Sequence, residues 1–428
     1  MGLRVETARV LWVIAAAVWL LSTAPAVAVE ITVVGGGDGF SDPGDLEQFY
    51  EAHPDIRISI LSAGNDQVLA MLAAGNAPDL IRVEARQVPF WVAKGLLEDL
   101  TPYIEKQARF ITPDDLVPVN DLYVLDGRRY ALNKDWSADL TIYYNKDLFD
   151  GAGLAYPSED APLTYAEVLD LSRKIASSEP GQLQRWGFST HYAPLSFQGM
   201  LRSAGVPLYS EDQTEVVLTE HPETLRIAEW WVEMGVREWY AHTDVSAVWH
   251  QGRLGILQSG FWFGPVAAIG GTHNTMANEA TQSGTTEPIG FAPAPVWGDK
   301  RVNLAVATGF AMFADSQHKD AAWQVLEWFM VGPPAVRRTR IGWGIPPMRS
   351  LFEHIPMETE FDRQRYRVTV GEMPYLTSHY ENRYDANAFD AAWRQWYPGA
   401  AGQQFSANEF LLRVQHETNQ LLARAAGR

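Results

Sequence analysis

Between Ala131 and Phe149 the chain reads Ala-Leu-Asn-Lys-Asp-Trp-Ser-Ala-Asp-Leu-Thr-Ile-Tyr-Tyr-Asn-Lys-Asp-Leu-Phe. Two β-like runs, Arg129 to Leu132 and Leu140 to Tyr144, flank a polar knot of Asn133, Lys134, Asp135, Trp136, Ser137 and Asp139. A helix-like segment begins at Lys146. A knot of this kind does not suit an apolar core, where backbone and side-chain polar groups go unpaired. The stretch reads as a crossing between two lobes, with its polar groups and its Trp facing a cleft.

A chain of 428 residues, 46% hydrophobic and 20% charged, carries enough apolar surface for two such lobes. Its formal charge of −18 argues against a nucleic-acid partner, which shows as a basic face. There are 16 Trp; most belong in cores, but the excess leaves several to line a groove. The absence of Cys excludes disulfides, thiolate metal sites, a cysteine nucleophile and a lipid-anchored N-terminus of the lipobox kind. Arg4 and Arg9, the apolar run Val10 to Leu21 and the small-x-small Ala26-Val27-Ala28 form a signal-peptide pattern, with cleavage expected after Ala28. That run is shorter than the roughly 20 residues of a membrane span.

Glu30 to Val34 alternates as a first strand and ends in Gly35-Gly36-Gly37-Asp38-Gly39. Phe40 stands where a dinucleotide fingerprint needs its third Gly, so nucleotide binding is set aside. A helix from Asp45 to Ala52 and a strand from Ile56 to Leu61 complete a βαβ unit. Further on, Thr164-Tyr165-Ala166-Glu167 is a capping box, Gln251 to Ile269 holds an apolar strand delivering Phe261, Trp262 and Phe263, and Gly270 to Pro288 is a polar loop expected to be mobile. Lys319 to Met330 is a strongly apolar helix, and Gly342-Trp343-Gly344-Ile345-Pro346-Pro347 a turn set by Pro and Gly.

In order along the chain, Ala70-Met71-Leu72-Ala73-Ala74-Gly75-Asn76-Ala77-Pro78-Asp79-Leu80-Ile81, Gly95-Leu96-Leu97, Tyr144-Asn145-Lys146-Asp147-Leu148-Phe149 and Phe261-Trp262-Phe263-Gly264-Pro265 resemble family 1 extracellular solute-binding proteins. These are the maltose-binding type of receptor serving ATP-binding-cassette (ABC) importers. The resemblance covers nearly the whole mature chain, except Tyr375 to Tyr397, which matches nothing in the pattern. It implies an α/β, two-lobed periplasmic binding protein fold with three inter-lobe crossings and a ligand cleft between the lobes. Residues 1–28 are then a signal peptide, 29–138 and 301–345 the first lobe, and 139–300 and 346–428 the second. The implied protein is a periplasmic monomer without cofactor or metal. It captures a carbohydrate of one to several rings by hinge closure and passes it to the membrane permease subunits of an ABC importer.

Sugar rings stack their C–H faces on aromatic side chains, and their hydroxyls need planar acceptors and donors. Carried over by position, the ligand-binding candidates are Asp38, Phe40, Glu84, Arg86, Asp135, Trp136, Tyr192, Phe261, Trp262 and Trp343, with Trp136 and Trp262 expected to cover a ring from two sides. A receptor for a quaternary amine or a polyol is the alternative, since Trp and Tyr also cage cations. A secreted carbohydrate-active enzyme is the other. It needs two carboxylates at a fixed spacing. The sequence shows no Gly-x-Ser-x-Gly elbow and no two His three or four residues apart, and no catalysis is expected.

Overall fold

The computed structural model describes residues 28–177, 184–237, 239–241, 244–271, 284–378, 384, 385 and 387–427. The expected signal peptide up to residue 27, most of the expected mobile loop and the side chain of Asp38 lie outside them. Among the described residues no helix is long and apolar enough to cross a membrane.

Among the described residues twelve strands are interspersed with helices: β1 Val29–Val34, β2 Ile56–Leu61, β3 Leu80–Glu84, the short pair β4 Val124–Leu125 and β5 Arg128–Arg129, β6 Ala131–Ala138, β7 Ile142–Asn145, β8 Trp186–Thr190, β9 Leu254–Gln258, β10 Ile289–Ala292, β11 Asn303–Met312 and β12 Leu376–Ser378. They form two main sheets. The first has the order β12-β11-β3-β1-β2, with β6 also paired to β11; the second runs β10-β7-β9-β8. β6 belongs to the first sheet and β7 to the second, so the chain crosses between Ala138 and Ile142, inside the stretch read as a crossing. It returns between β10 and β11. At the turn of Gly342 to Pro347, Ile345 and Trp136 exchange backbone hydrogen bonds of 2.9 and 3.0 Å.

Each sheet is buried on both faces, as strand alternation requires. In the first, Ile31 and Val33 pack with Trp323 and Phe329, while Val34, Ile81 and Val83 pack with Trp91. In the second, Tyr144 and Ile256 join Trp230, Trp231 and Trp393, and Tyr143 and Leu257 join Trp249 and Phe263. Helix starts follow the local chemistry. Thr164 Oγ1 accepts from the Glu167 N–H at 3.2 Å while the Glu167 carboxylate accepts from the Thr164 N–H at 2.7 Å. Ser406 caps the helix Ala407–Ala425.

The expectation that 346–428 belongs wholly to the second lobe does not survive. Leu351 packs in the first core, and Leu376–Ser378 adds a parallel strand to β11. The helix Glu360–Glu372 lies between these segments and puts Phe361 and Val368 into the second core. Three-residue strands leave no periodicity to read, so this weaving is invisible in the pattern.

The β6–β11 ladder slips once. Asp135 faces Thr308 and Asn133 faces Gly309, which leaves Lys134 as the extra residue of a bulge. Glycine is required opposite it. A Cβ on Gly309 would lie 2.4 Å from the Leu132 carbonyl oxygen.

Candidate functional site

The bulge lies at the base of a cavity of about 210 Å³ between the two sheets. Because the bulge breaks alternation, the consecutive Lys134 and Asp135 both line this cavity, their side chains 3.2 Å apart as a nearly buried ion pair. Trp136, Ser137 and Asp139 continue the floor. Val306 and Thr308 of β11, two residues apart, contribute from one face of the strand.

β3 supplies the charged rim by the same alternation, with Arg82 and Glu84 two residues apart. Glu84 Oε2 is 2.5 Å from Arg86 Nε. Arg86 Nη1 is 3.4 Å from Asp390 Oδ2 on the helix Ala388–Ala401, which is packed in the second core. A rim from one lobe thus grips a helix of the other. Burial raises the Asp390 carboxyl above its usual range, against Arg86 and Arg394, which lower it.

Three aromatic rings share the cavity with this rim. Trp262 is half-buried on the short helix Phe261–Val266, with its ring 6.4 Å from Tyr192 and 6.4 Å from Trp343. Tyr192 is exposed into the space. Behind Trp262, the His191 ring lies 5.2 Å away. Its nitrogens are within 3.0 Å of Ser259 Oγ and 3.1 Å of Ser246 Oγ, which fixes the imidazole as a backing plate.

The floor carboxylate Asp139 is buried, and burial pushes its pKa up to about 7. The Ser137 hydroxyl and the Trp262 indole pull it back down, whereas the charges of Glu84 and Asp135 add to the rise. Gly260 lies against it; a Cβ there would be 1.9 Å from Asp139 Oδ1.

Seven of the expected site residues come together here: Glu84, Arg86, Asp135, Trp136, Tyr192, Trp262 and Trp343. Two do not. Phe40 is fully buried, 4.7 Å from both Phe310 and Phe329 in the first core. Phe261 is buried beneath Arg365, whose guanidinium sits 4.0 Å over the ring and donates to the Phe261 and Gly342 carbonyls. That arginine joins the aromatic segment to the turn of Gly342 to Pro347, so Phe261 serves architecture. Trp136 reaches the cavity only at its edge. It is 3% exposed, packs in the first lobe, and its indole N–H donates to the Pro346 carbonyl at 3.2 Å.

Sequence reasoning passed over Lys134, Ser137 and Asp139 although all stood in the polar knot; the bulge that aims them had no signature. It also passed over Arg82, Asp390 and Arg394. The last two sit in the segment without resemblance, and only packing across the molecule brings them to the cleft.

The model of the bacterial extracellular solute-binding protein family matches residues 23–330. The chain belongs to this family. Similar relatives of this solute-binding protein include a mannitol-binding protein of Pseudomonas aeruginosa, 26% identical over 310 residues, covering 65% of this chain and 63% of that protein. A maltotriose-binding protein of Pyrococcus abyssi is 22% identical over 317 residues, covering 72% of this chain and 60% of that protein. The alignments therefore span less than two thirds of those relatives. Among solved structures, an ABC substrate-binding protein from Listeria monocytogenes in complex with cycloalternan superposes with a TM-score of 0.74 at 19% identity, covering 94% of this chain and 99% of that one. A solute-binding protein from Agrobacterium vitis with bound D-mannitol gives 0.71 at 18% identity, over 93% and 99%. The two-lobed fold of the family is shared.

Proposed function

We propose that this solute-binding protein is a receptor for a neutral sugar or polyol, captured between the lobes by hinge closure and delivered to the permease of an ABC importer. The observation that carries the reading is the meeting in one cavity of two kinds of side chain: the aromatic Tyr192, Trp262 and Trp343, and the charged rim of Arg82, Glu84, Arg86 and Asp390. Stacking surface against planar donors and acceptors is what a ring with equatorial hydroxyls asks for.

Charge supports a neutral ligand. Four cationic residues (Arg82, Arg86, Lys134, Arg394) face four acidic ones (Glu84, Asp135, Asp139, Asp390), so the cleft has no formal excess to spend on a charged solute. Capture rather than catalysis is the reading taken for a cleft in which Glu84, Asp135 and Asp390 are each ion-paired to a cation. The mature receptor, starting at Val29, acts as a monomer in the periplasm. A thermal-shift screen against sugars, polyols and betaines tests the reading, because a ligand of the native state raises the melting temperature by mass action. Shifts from sugars or polyols are expected; shifts from betaines alone would replace this reading with the quaternary-amine one.

A further inference from the structure

We propose that Asp139 is the hydrogen-bond acceptor on the cleft floor for a ligand hydroxyl. The inference rests on the carbohydrate reading above and adds to it the residue that recognises the hydroxyl and the coupling that follows.

The position is built. Asp139 lines the cavity, is 3% exposed, and is held by its backbone N–H, which donates to the Leu304 carbonyl at 3.1 Å. Among the cleft carboxylates it stands apart. Glu84 is paired with Arg86 at 2.5 Å, Asp135 with Lys134 at 3.2 Å and Asp390 with Arg86 at 3.4 Å. Asp139 has no ion pair among the described residues, and its Oδ1 accepts no hydrogen bond.

The elements around it bring two donors to the carboxylate and none to its Oδ1. From the segment after β9 comes Gly260, whose Cα leaves no room for a side chain. From the short aromatic helix comes the Trp262 indole, and from β6 the Ser137 hydroxyl; both favour the charged form. The acids Glu84 on β3 and Asp135 on β6 disfavour it. Tyr192, ahead of the helix Ala193–Ser203, has an exposed side chain whose hydroxyl nonetheless has its pKa raised, by desolvation within the cleft first and by the charge of Asp139 next. Of the remaining charges in the cavity, Arg82 lies within 3.9 Å of Glu84 and Lys134 is committed to Asp135. Arg86, Asp390 and Arg394 complete the charges of the cleft from the rim and the facing helix.

The consequence has a definite sign. Empty, Asp139 keeps its proton up to about pH 7. A hydroxyl donated by the ligand favours the ionised form and lowers that value in the complex. Between the two values binding expels a proton, so affinity climbs with pH through this window and is level above it. An ammonium would favour the ionised form in the same way, and the probes must separate the two.

The test is calorimetric titration of the mature protein with D-mannitol, maltose and D-glucosamine, at about pH 5.5 and about pH 8, in buffers of different ionisation enthalpy. For a neutral probe the expected dissociation constant is at least about threefold larger at the lower pH, with proton release in the heats. Asp139→Asn should weaken that probe by about tenfold at the higher pH and flatten the pH response. Ser137→Ala, which removes a donor to the carboxylate, should move the midpoint of the response to higher pH and keeps the idea testable if the Asn variant does not fold. A neutral probe that binds equally at both pH values, or a slope that persists in Asp139→Asn, overturns the inference and leaves the receptor intact. Tighter binding of D-glucosamine than of either neutral probe overturns the hydroxyl assignment. Absence of binding by all three sinks the carbohydrate reading together with this one.

Discussion

Arg86 reaches across the cleft to Asp390, Nη1 to Oδ2 3.4 Å, while its Nε stays on Glu84 of its own lobe at 2.5 Å. The three side chains are between 17% and 27% exposed, so the cross-lobe pair is only partly screened. Asp390→Asn removes its charge without changing shape. The ligand-free protein should then show a larger radius of gyration by X-ray scattering, while fold stability changes by about 1 kcal/mol or less. An unchanged radius would mean that the pair does not hold the lobes together.

Trp262 is half-buried, packed against His191, and lines the cavity. Trp262→Ala should cost roughly 2 kcal/mol or more of binding, about 30-fold in dissociation constant, with little loss of melting temperature. Normal sugar affinity in this variant would place the stacking surface elsewhere.

Trp136 should behave in the opposite way. Its ring is buried in the first core and its N–H is bound to Pro346, so Trp136→Ala opens a cavity and frees a buried carbonyl. Chemical denaturation should report a loss of about 3–5 kcal/mol. A variant that folds normally and fails only to bind would return Trp136 to the ligand surface.

Stability itself should carry the mark of Asp139. Its folded-state pKa, about 7, stands above the ordinary carboxyl value of 3.8. Unfolding therefore releases a proton between those values, and stability falls as pH rises through that window. Asp139→Asn lacks this term. Its melting temperature relative to wild type should rise from about pH 4 to about pH 7 and then stay level, by an amount worth up to a few kcal/mol. A constant difference across that range would show that Asp139 is ionised throughout.

Gly309 offers a check on the bulge. Gly309→Ala presses a methyl onto the Leu132 carbonyl and the Tyr123 ring, whose atoms would lie 2.4 and 3.0 Å away. About 1–3 kcal/mol of stability should be lost. A neutral outcome would mean that the two strands can separate there without cost.

Much of the architecture was legible before any coordinates, since apolar alternation, capping residues and Gly/Pro turns are local statements. The crossing at 131–149, the capping box at Thr164 and the apolar helix starting at Lys319 all follow from neighbours in sequence. Seven of the ten candidates taken from the resemblance line the cavity between the sheets, because the ends of strands stay in register when the fold is kept. What the sequence did not decide was which polar or aromatic side chain faces the cleft and which faces a core. Phe40 and Trp262 are both aromatic and both follow a strand, yet one packs between Phe310 and Phe329 and the other lines the cavity. That choice depends on contacts some hundreds of residues apart, on a single-residue bulge, and on a three-residue strand returning late to the first sheet. The sequence alone determined the elements and their order; tertiary packing decided the faces, because a side chain's surroundings are set by distant segments that leave no mark on the local pattern.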